Sequence, residues 1–223
     1  MSIFKEKLKK HTLVKIFSAK QLSEADKATT KKHNITSLDL MEHAGTQVFN
    51  WLHQRLQGAK VPIHIFCGIG NNGGDGLVVG RLFIEKGYNV HIYIANFTDK
   101  RSKCFLINYD RIKEITNKWP KLMTSEEDFP EINNQDIIID SLFGIGLNRP
   151  PEGWLKPLIQ HINASEAFTL AIDIPSGLYA NQALEDTEAV VKANHTLTFQ
   201  APKLSFFLPE TGKFVPFFDI IDI

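Results

Sequence analysis

Cysteine is scarce: Cys67 and Cys104 are the only two among 223 residues. Two thiols so far apart make neither a disulfide framework nor a zinc-ligand pattern. Cys67 closes an apolar run and reads as a buried small hydrophobe rather than a nucleophile. A reducing, cytoplasmic setting is the expectation. An excess of charge is missing as well, since Lys plus Arg and Asp plus Glu balance at 25 each. No overall field then recruits nucleic acid or an anionic membrane. No apolar run approaches the roughly 20 residues needed to span a bilayer. The first fifteen residues carry Lys5, Lys7, Lys9, Lys10 and Lys15 against one acid, Glu6. They lack the apolar block of a secretory signal. Residues 1–14 therefore read as a solvated extension, and 15–223 as a single domain of ordinary globular composition, 43% hydrophobic and 22% charged.

Glycine, by contrast, is concentrated. Gly68-Ile69-Gly70-Asn71-Asn72-Gly73-Gly74-Asp75-Gly76 holds five glycines in nine positions, between the apolar run Val61–Cys67 and the segment Leu77–Phe83. A strand, a glycine loop and a helix in that order make an anion cradle: glycine permits positive φ and close approach of a ligand. The helix start offers unpaired N–H groups to phosphate. The spacing Gly68-x-Gly70-x-x-Gly73 fits the dinucleotide fingerprint, and the two amides and the carboxylate exceed what a simple turn requires.

Periodicity supplies the frame. Ser18 caps a helix to about His33 with Leu22, Ala25 and Ala28 on one face, and Thr36 or Ser37 opens another through Leu56. In the second, Leu40, Met41, Ala44, Val48 and Leu52 recur at three and four. Apolar runs at Ile63–Cys67, Val90–Ala95, Ile137–Asp140 and Phe168–Ile172 alternate with helical stretches near Asp75–Lys86, Lys103–Asn117 and Trp154–Ile162. A further strand is expected over Thr196–Phe199, and an edge strand over Phe214–Ile220 interrupted by Pro216. Such alternation predicts a three-layer α/β fold, a mostly parallel sheet with helices on both faces.

Ligands of such sheets bind beyond the carboxyl ends of the strands, where Asp140 and Asp173 both fall. A dehydrogenase would place a ribose-binding acid at the end of the second strand. Asn96 stands there, and the first acid, Asp99, lies outside the strand, which disfavours hydride transfer. Asn72, Asp140 and Ser176 offer amide, carboxylate and hydroxyl oxygens suited to a hard cation, and a single full charge suits a monovalent one. Asn72 as a turn-stabilising side chain is the competing reading. Asp173 is a candidate general acid or base whose pKa desolvation raises, or else a cap for the turn Pro175-Ser176-Gly177. Asp75 reads as a helix cap. His43 reads as facing solvent or a packing contact, or else the site; Gly45 as allowing close helix packing; Lys192 and Lys203 as solvated or reaching phosphates. Phe206-Phe207 reads as core or subunit interface.

Met41-Glu42-His43-Ala44-Gly45, Cys67–Gly76, Asp140-Ser141-Leu142-Phe143-Gly144-Ile145-Gly146-Leu147, Ala171–Leu178, Val191–Phe199 and Pro202-Lys203 occur in that order. Over about residues 15 to 220 the chain resembles the YjeF N-terminal domain family of NAD(P)H-hydrate epimerases. The resemblance implies a Rossmann-like fold that interconverts the R and S epimers of hydrated NADH and NADPH, with a potassium ion as cofactor and a dehydratase as pathway partner or fused domain. Helical packing and exposed phenylalanines make a homodimer the expected oligomeric state. By similarity, Asn71, Asn72, Gly73, Gly74, Asp75, Gly144, Ile145, Gly146, Leu147, Asn148, Arg149, Pro150 and Asp173 bind substrate. Asn72, Asp140 and Ser176 match the potassium ligands, and Asp173 is the expected catalytic carboxyl. Ile69 stands where the family usually has proline, and His43 where it has asparagine. The alternative is a non-catalytic scaffold of the same fold, against which the retained Asn72, Asp75, Asp140 and Asp173 argue.

Overall fold

The computed structural model describes residues 15–184 and 186–223, so the basic segment over 1–14 lies outside the described residues. The strands are β1 (Ile63–Cys67), β2 (Val90–Ala95), β3 (Lys121–Met123), β4 (Ile137–Ser141), β5 (Phe168–Ile172), β6 (His195–Phe199) and β7 (Phe218–Ile221). They form one sheet in the order β3-β2-β1-β4-β5-β6-β7. Every pairing is parallel.

Five α-helices accompany the sheet among the described residues: α1 (Ala19–His33), α2 (Ser37–Leu56), α3 (Asn71–Glu85), α4 (Lys103–Ile115) and α5 (Leu155–Ala164). Side chains alternate across the central strands, as a pleat requires. Ile63, Ile65 and Cys67 join a core with Val48, Leu52, Leu77, Phe83, Phe105 and Ile112 from α2, α3 and α4. Phe66 and Ile138 point the other way, into a core with Leu155, Leu158, Ile159 and Ile162 of α5. β1 is buried along its whole length, which is why it reads as an apolar run broken only by His64, whose ring meets Asp136. A third cluster, including Ile174, Leu178, Phe206 and Phe214, packs the segments beyond β5 and β6.

The caps of α1 and α2 are capping boxes, Ser18 with Gln21 and Thr36 with Asp39. Each such cap contributes about 1 kcal/mol. A salt-bridge network then fastens α2, α3 and α4: Glu42 takes both Arg81 and, at 3.1 Å, Arg111. Gly45 allows the close approach of α2 to α3, since a Cβ there would lie 2.5 Å from Val78.

The structure departs from expectation at several points. α3 begins at Asn71 rather than Asp75, so the glycine loop is largely the first turn of the helix. β3 was not expected: it is three residues long and exposed at two of them, too short to show a period. β7 starts at Phe218, after Pro216, because Phe214 ends a 3-10 turn. On α1 only Leu22 is buried, with Ala25 and Ala28 exposed.

Candidate active site at the switch point of the sheet

The strand order reverses between β1 and β4, and open α/β sheets bind ligands in the crevice at such a point. The two strands leave the sheet side by side, with Gly68 N–H donating to the Ser141 carbonyl at 3.0 Å. None of the five loop glycines takes positive φ, contrary to the conformational reason given for them. Their reason is steric. A Cβ on Gly68 would lie 1.9 Å from the Leu142 carbonyl oxygen, on Gly73 1.8 Å from the Gly68 oxygen, and on Gly76 2.0 Å from Ser141 Oγ. Gly70 is the exception: a Cβ there meets nothing within 4 Å. It is the N-cap of α3 and supplies no side-chain cap. The first-turn N–H groups therefore lack a capping side chain, which is the arrangement that accepts an anion.

Beneath this turn lies a compact polar floor. Asp140, wholly buried at the end of β4, accepts from Ser176 Oγ at 2.6 Å, Ser176 N–H at 2.7 Å and Leu142 N–H at 3.2 Å. Burial pushes its carboxyl up to about 6, opposed by those hydrogen bonds. Ser176 Oγ also accepts from Phe143 N–H at 2.8 Å, and the Phe143 carbonyl accepts from Asn72 Nδ2 at 2.9 Å. Amide, carboxylate, hydroxyl and main-chain carbonyl groups thus converge around one full negative charge.

Asp173 stands at the end of β5 with its backbone at φ 68°, a strained conformation of the kind that accumulates at functional sites. Its Oδ1 accepts from Phe199 N–H at 3.1 Å and from Lys203 Nζ at 2.5 Å. Lys203 is 1% exposed and also reaches Thr198 Oγ1, the Phe199 carbonyl and the Ala201 carbonyl. It is neither solvated nor free to bind phosphate, because its ammonium is consumed inside the fold. Asp173 is buried, 7% exposed, and carries a counter-ion that the sequence did not reveal. Asp75 is likewise no cap: it is the fifth residue of α3, one turn inside the helix, and 9% exposed. Burial, then the charges of Asp173 and Asp26, raise its carboxyl well above the ordinary range. Asp26, on α1, is raised too, by burial first and Asp173 second.

A cavity of about 980 Å³ joins these groups. Asn71, Asn72, Asp75, Asp173 and the whole run Gly144, Ile145, Gly146, Leu147, Asn148, Arg149, Pro150 line it. Gly73 and Gly74 lie behind the wall, packed on Gly68 and Met41. Asp140 and Ser176 lie under the floor, fully buried. His43 and Lys192 are exposed and away from the cavity. Phe206 is core and Phe207 is 51% exposed. Sequence reasoning missed Asp26, which α1 brings from outside the sheet, and Lys203 as the partner of Asp173. It also missed Phe97 and Phe143, whose rings meet at 5.6 Å on the rim. No local pattern marks Asp26. The aromatic after Asn96 was a usable signal for Phe97.

Residues 37–205 match the family described as YjeF-related protein N-terminus. An NAD(P)H-hydrate epimerase of Roseobacter litoralis is 36% identical over 205 residues, which are 84% of this chain and 90% of that protein. An NAD(P)H-hydrate epimerase of Oenococcus oeni is 32% identical, over 92% and 95%. The bifunctional NAD(P)H-hydrate repair enzyme Nnr of Thermofilum pendens is 32% identical over 86% of this chain, which spans 36% of that longer protein. The crystal structure of yeast ynu0, YNL200c, superposes with a TM-score of 0.68 at 20% identity, covering 85% of this chain and 82% of that one. That likeness concerns the fold.

Proposed function

This chain belongs to the YjeF-related protein N-terminus family, and from that premise we propose that it is an isomerase interconverting the R and S epimers of hydrated NADH and NADPH. The observation that carries the reading is the meeting of an uncapped helix start with Asp173, a carboxylate paired to a buried lysine behind it, in one cavity of dinucleotide size. The α3 N-terminus takes the pyrophosphate, and the 144–150 run closes over the remainder. The hydrated ring carries its hydroxyl beside the ring nitrogen. Departure of the hydroxyl leaves an iminium, and water returning to the opposite face inverts the centre. Asp173 handles the proton of that exchange. Asn96 in place of an acid at the end of β2 sets this chemistry apart from hydride transfer.

Asn72, Asp140 and Ser176 would hold a potassium ion, with the Phe143 carbonyl beside them. One carboxylate among neutral oxygens suits a monovalent cation. The ion would supply positive charge under the substrate phosphates and keep α3, the end of β4 and the turn after β5 in register. A dehydratase consumes one of the two epimers. The protein works as a homodimer in the cytoplasm: Phe207, Phe217 and Ile220, 51%, 67% and 43% exposed near the β7 edge, support the former, and the free thiols of Cys67 and Cys104 the latter. Among the described residues no helix is long and apolar enough to cross a membrane.

Pure R-hydrate of NADH, incubated with protein and potassium and resolved by chiral chromatography, tests the reading. Acceleration over the spontaneous rate is expected, lost by about 100-fold or more in Asp173→Asn. Full activity in that variant would sink the role of Asp173. Binding without acceleration would identify a scaffold instead.

A further inference from the structure

We propose that Asp75 is a second catalytic carboxyl of this site, a neutral acid that gives its proton to the departing hydroxyl while Asp173 receives the proton of the returning water. The inference rests on the epimerase reading above.

The argument begins with partners. Asp75 is nine-tenths buried, lines the cavity, and makes no hydrogen bond or ion pair among the described residues. Three carboxyls act on one another here: Asp173 from the end of β5, Asp26 from α1, and Asp75 itself. Among the described residues the one buried ammonium, Lys203, is taken by Asp173 at 2.5 Å. Lys27, Lys100 and Arg149 lie on the cavity wall, but none is among the charges acting on Asp75. The thiols nearby, Cys104 on α4 and Cys67 at the end of β1, are each raised partly by Asp75 and bring no positive charge. A carboxylate in such a place has neither donor nor counter-ion, and a buried group in that position takes up a proton instead. It then becomes a hydroxyl donor facing the ligand, as other enzymes use a carboxylic acid kept neutral by its surroundings. Direct contact with substrate alone would need only an amide, as on Asn71 and Asn72. An ionisable group kept beside two other carboxyls, with no cation paired to it, points to transfer of the proton itself.

The bonds balance without a further reactant. The C–O bond breaks as the ring-nitrogen lone pair forms the C=N bond, and the Asp75 proton leaves with the hydroxyl as water. Water then adds to the other face, its oxygen bonding to carbon as the C=N pair returns to nitrogen, and its second proton passes to Asp173. Proton exchange through the open cavity returns both carboxyls to their starting states. One neutral and one ionised carboxyl thus serve the two faces of the ring.

Asp75→Asn preserves shape and removes the transferable proton. Its epimerisation rate should fall about 10²- to 10⁴-fold, far more than its affinity for the hydrate. A second readout does not depend on activity. A carboxyl that binds its proton more tightly when folded loses stability as pH rises from its ordinary value of 3.8 towards its folded value. Asp75→Asn should therefore melt above wild type at neutral pH, and the gap should close below about pH 4. A variant with the wild-type rate, or one that melts below wild type or fails to fold at neutral pH, overturns the proposal. If wild type itself does not accelerate epimerisation, the functional reading falls and the catalytic role with it. The melting contrast then still reports whether Asp75 is neutral.

Discussion

Lys203 carries an ammonium into an interior that leaves it 1% exposed, and four acceptors surround it there. A buried pair of this kind adds little net stability compared with a well-packed apolar pair, but breaking it strands a charge. Lys203→Met should therefore destabilise the fold by about 3–5 kcal/mol, read from the urea midpoint. Asp173→Asn combined with it should recover part of the loss, because the orphaned carboxylate is gone. The same pair marks the limit of what a sequence reveals about a site. Asp140 and Asp173 were legible because each closes an apolar run, and the end of a run is the rim of a parallel sheet. Lys203 lies 30 residues from Asp173 in sequence, and only the course of the chain past β6 turns it inward. Asp26 reaches the site by the packing of a whole helix, which no spacing encodes.

For α3, two preferences conflict. Glycine in a helix costs about 1 kcal/mol relative to alanine, so a run of glycines reads as a loop, and the helix start was placed four residues late. Packing decides against propensity here: Gly73 and Gly76 lie so close to the ends of β1 and β4 that a side chain at either has no room. Gly73→Ala should lose stability by about 1–3 kcal/mol despite its gain in helix propensity, since the nearest atom, 1.8 Å away, is a backbone oxygen. Gly70→Ala should change the melting temperature little, because open space surrounds that position, yet weaken binding of the hydrate where its phosphates approach. Thermal melts and hydrate titrations of the two variants separate the glycines that serve the fold from the one that serves the ligand. The long elements were readable because periodicity and capping boxes agree with the packing. β3 was not, being three residues at an edge whose partner is remote in sequence.

Strand alternation indicated a parallel sheet, but the position of the crevice depends on the order of the strands, which the structure provides. Asn72 on α3, Asp140 on β4 and Ser176 beyond β5 belong to three different strand-to-strand units, and a cation bound between them would tie the molecule together. Potassium should accordingly raise the melting temperature by simple mass action, about 2.7 kcal/mol of stability at a hundredfold excess over its Kd. Lithium should not reproduce the effect, and Asn72→Ala should lose the increment. Cys67 lies at the centre of this architecture, its Sγ 3.5 Å from Ser141 Oγ and walled off by Gly76 of α3. Burial pushes its thiol up to about 12. Cys104, on the cavity wall, is only partly covered. An alkylating reagent therefore meets two thiols on separate clocks. Cys104 is modified in the closed molecule, and Cys67 only when α3 lifts away from β4, so the second adduct counts the openings of the seam beneath the site.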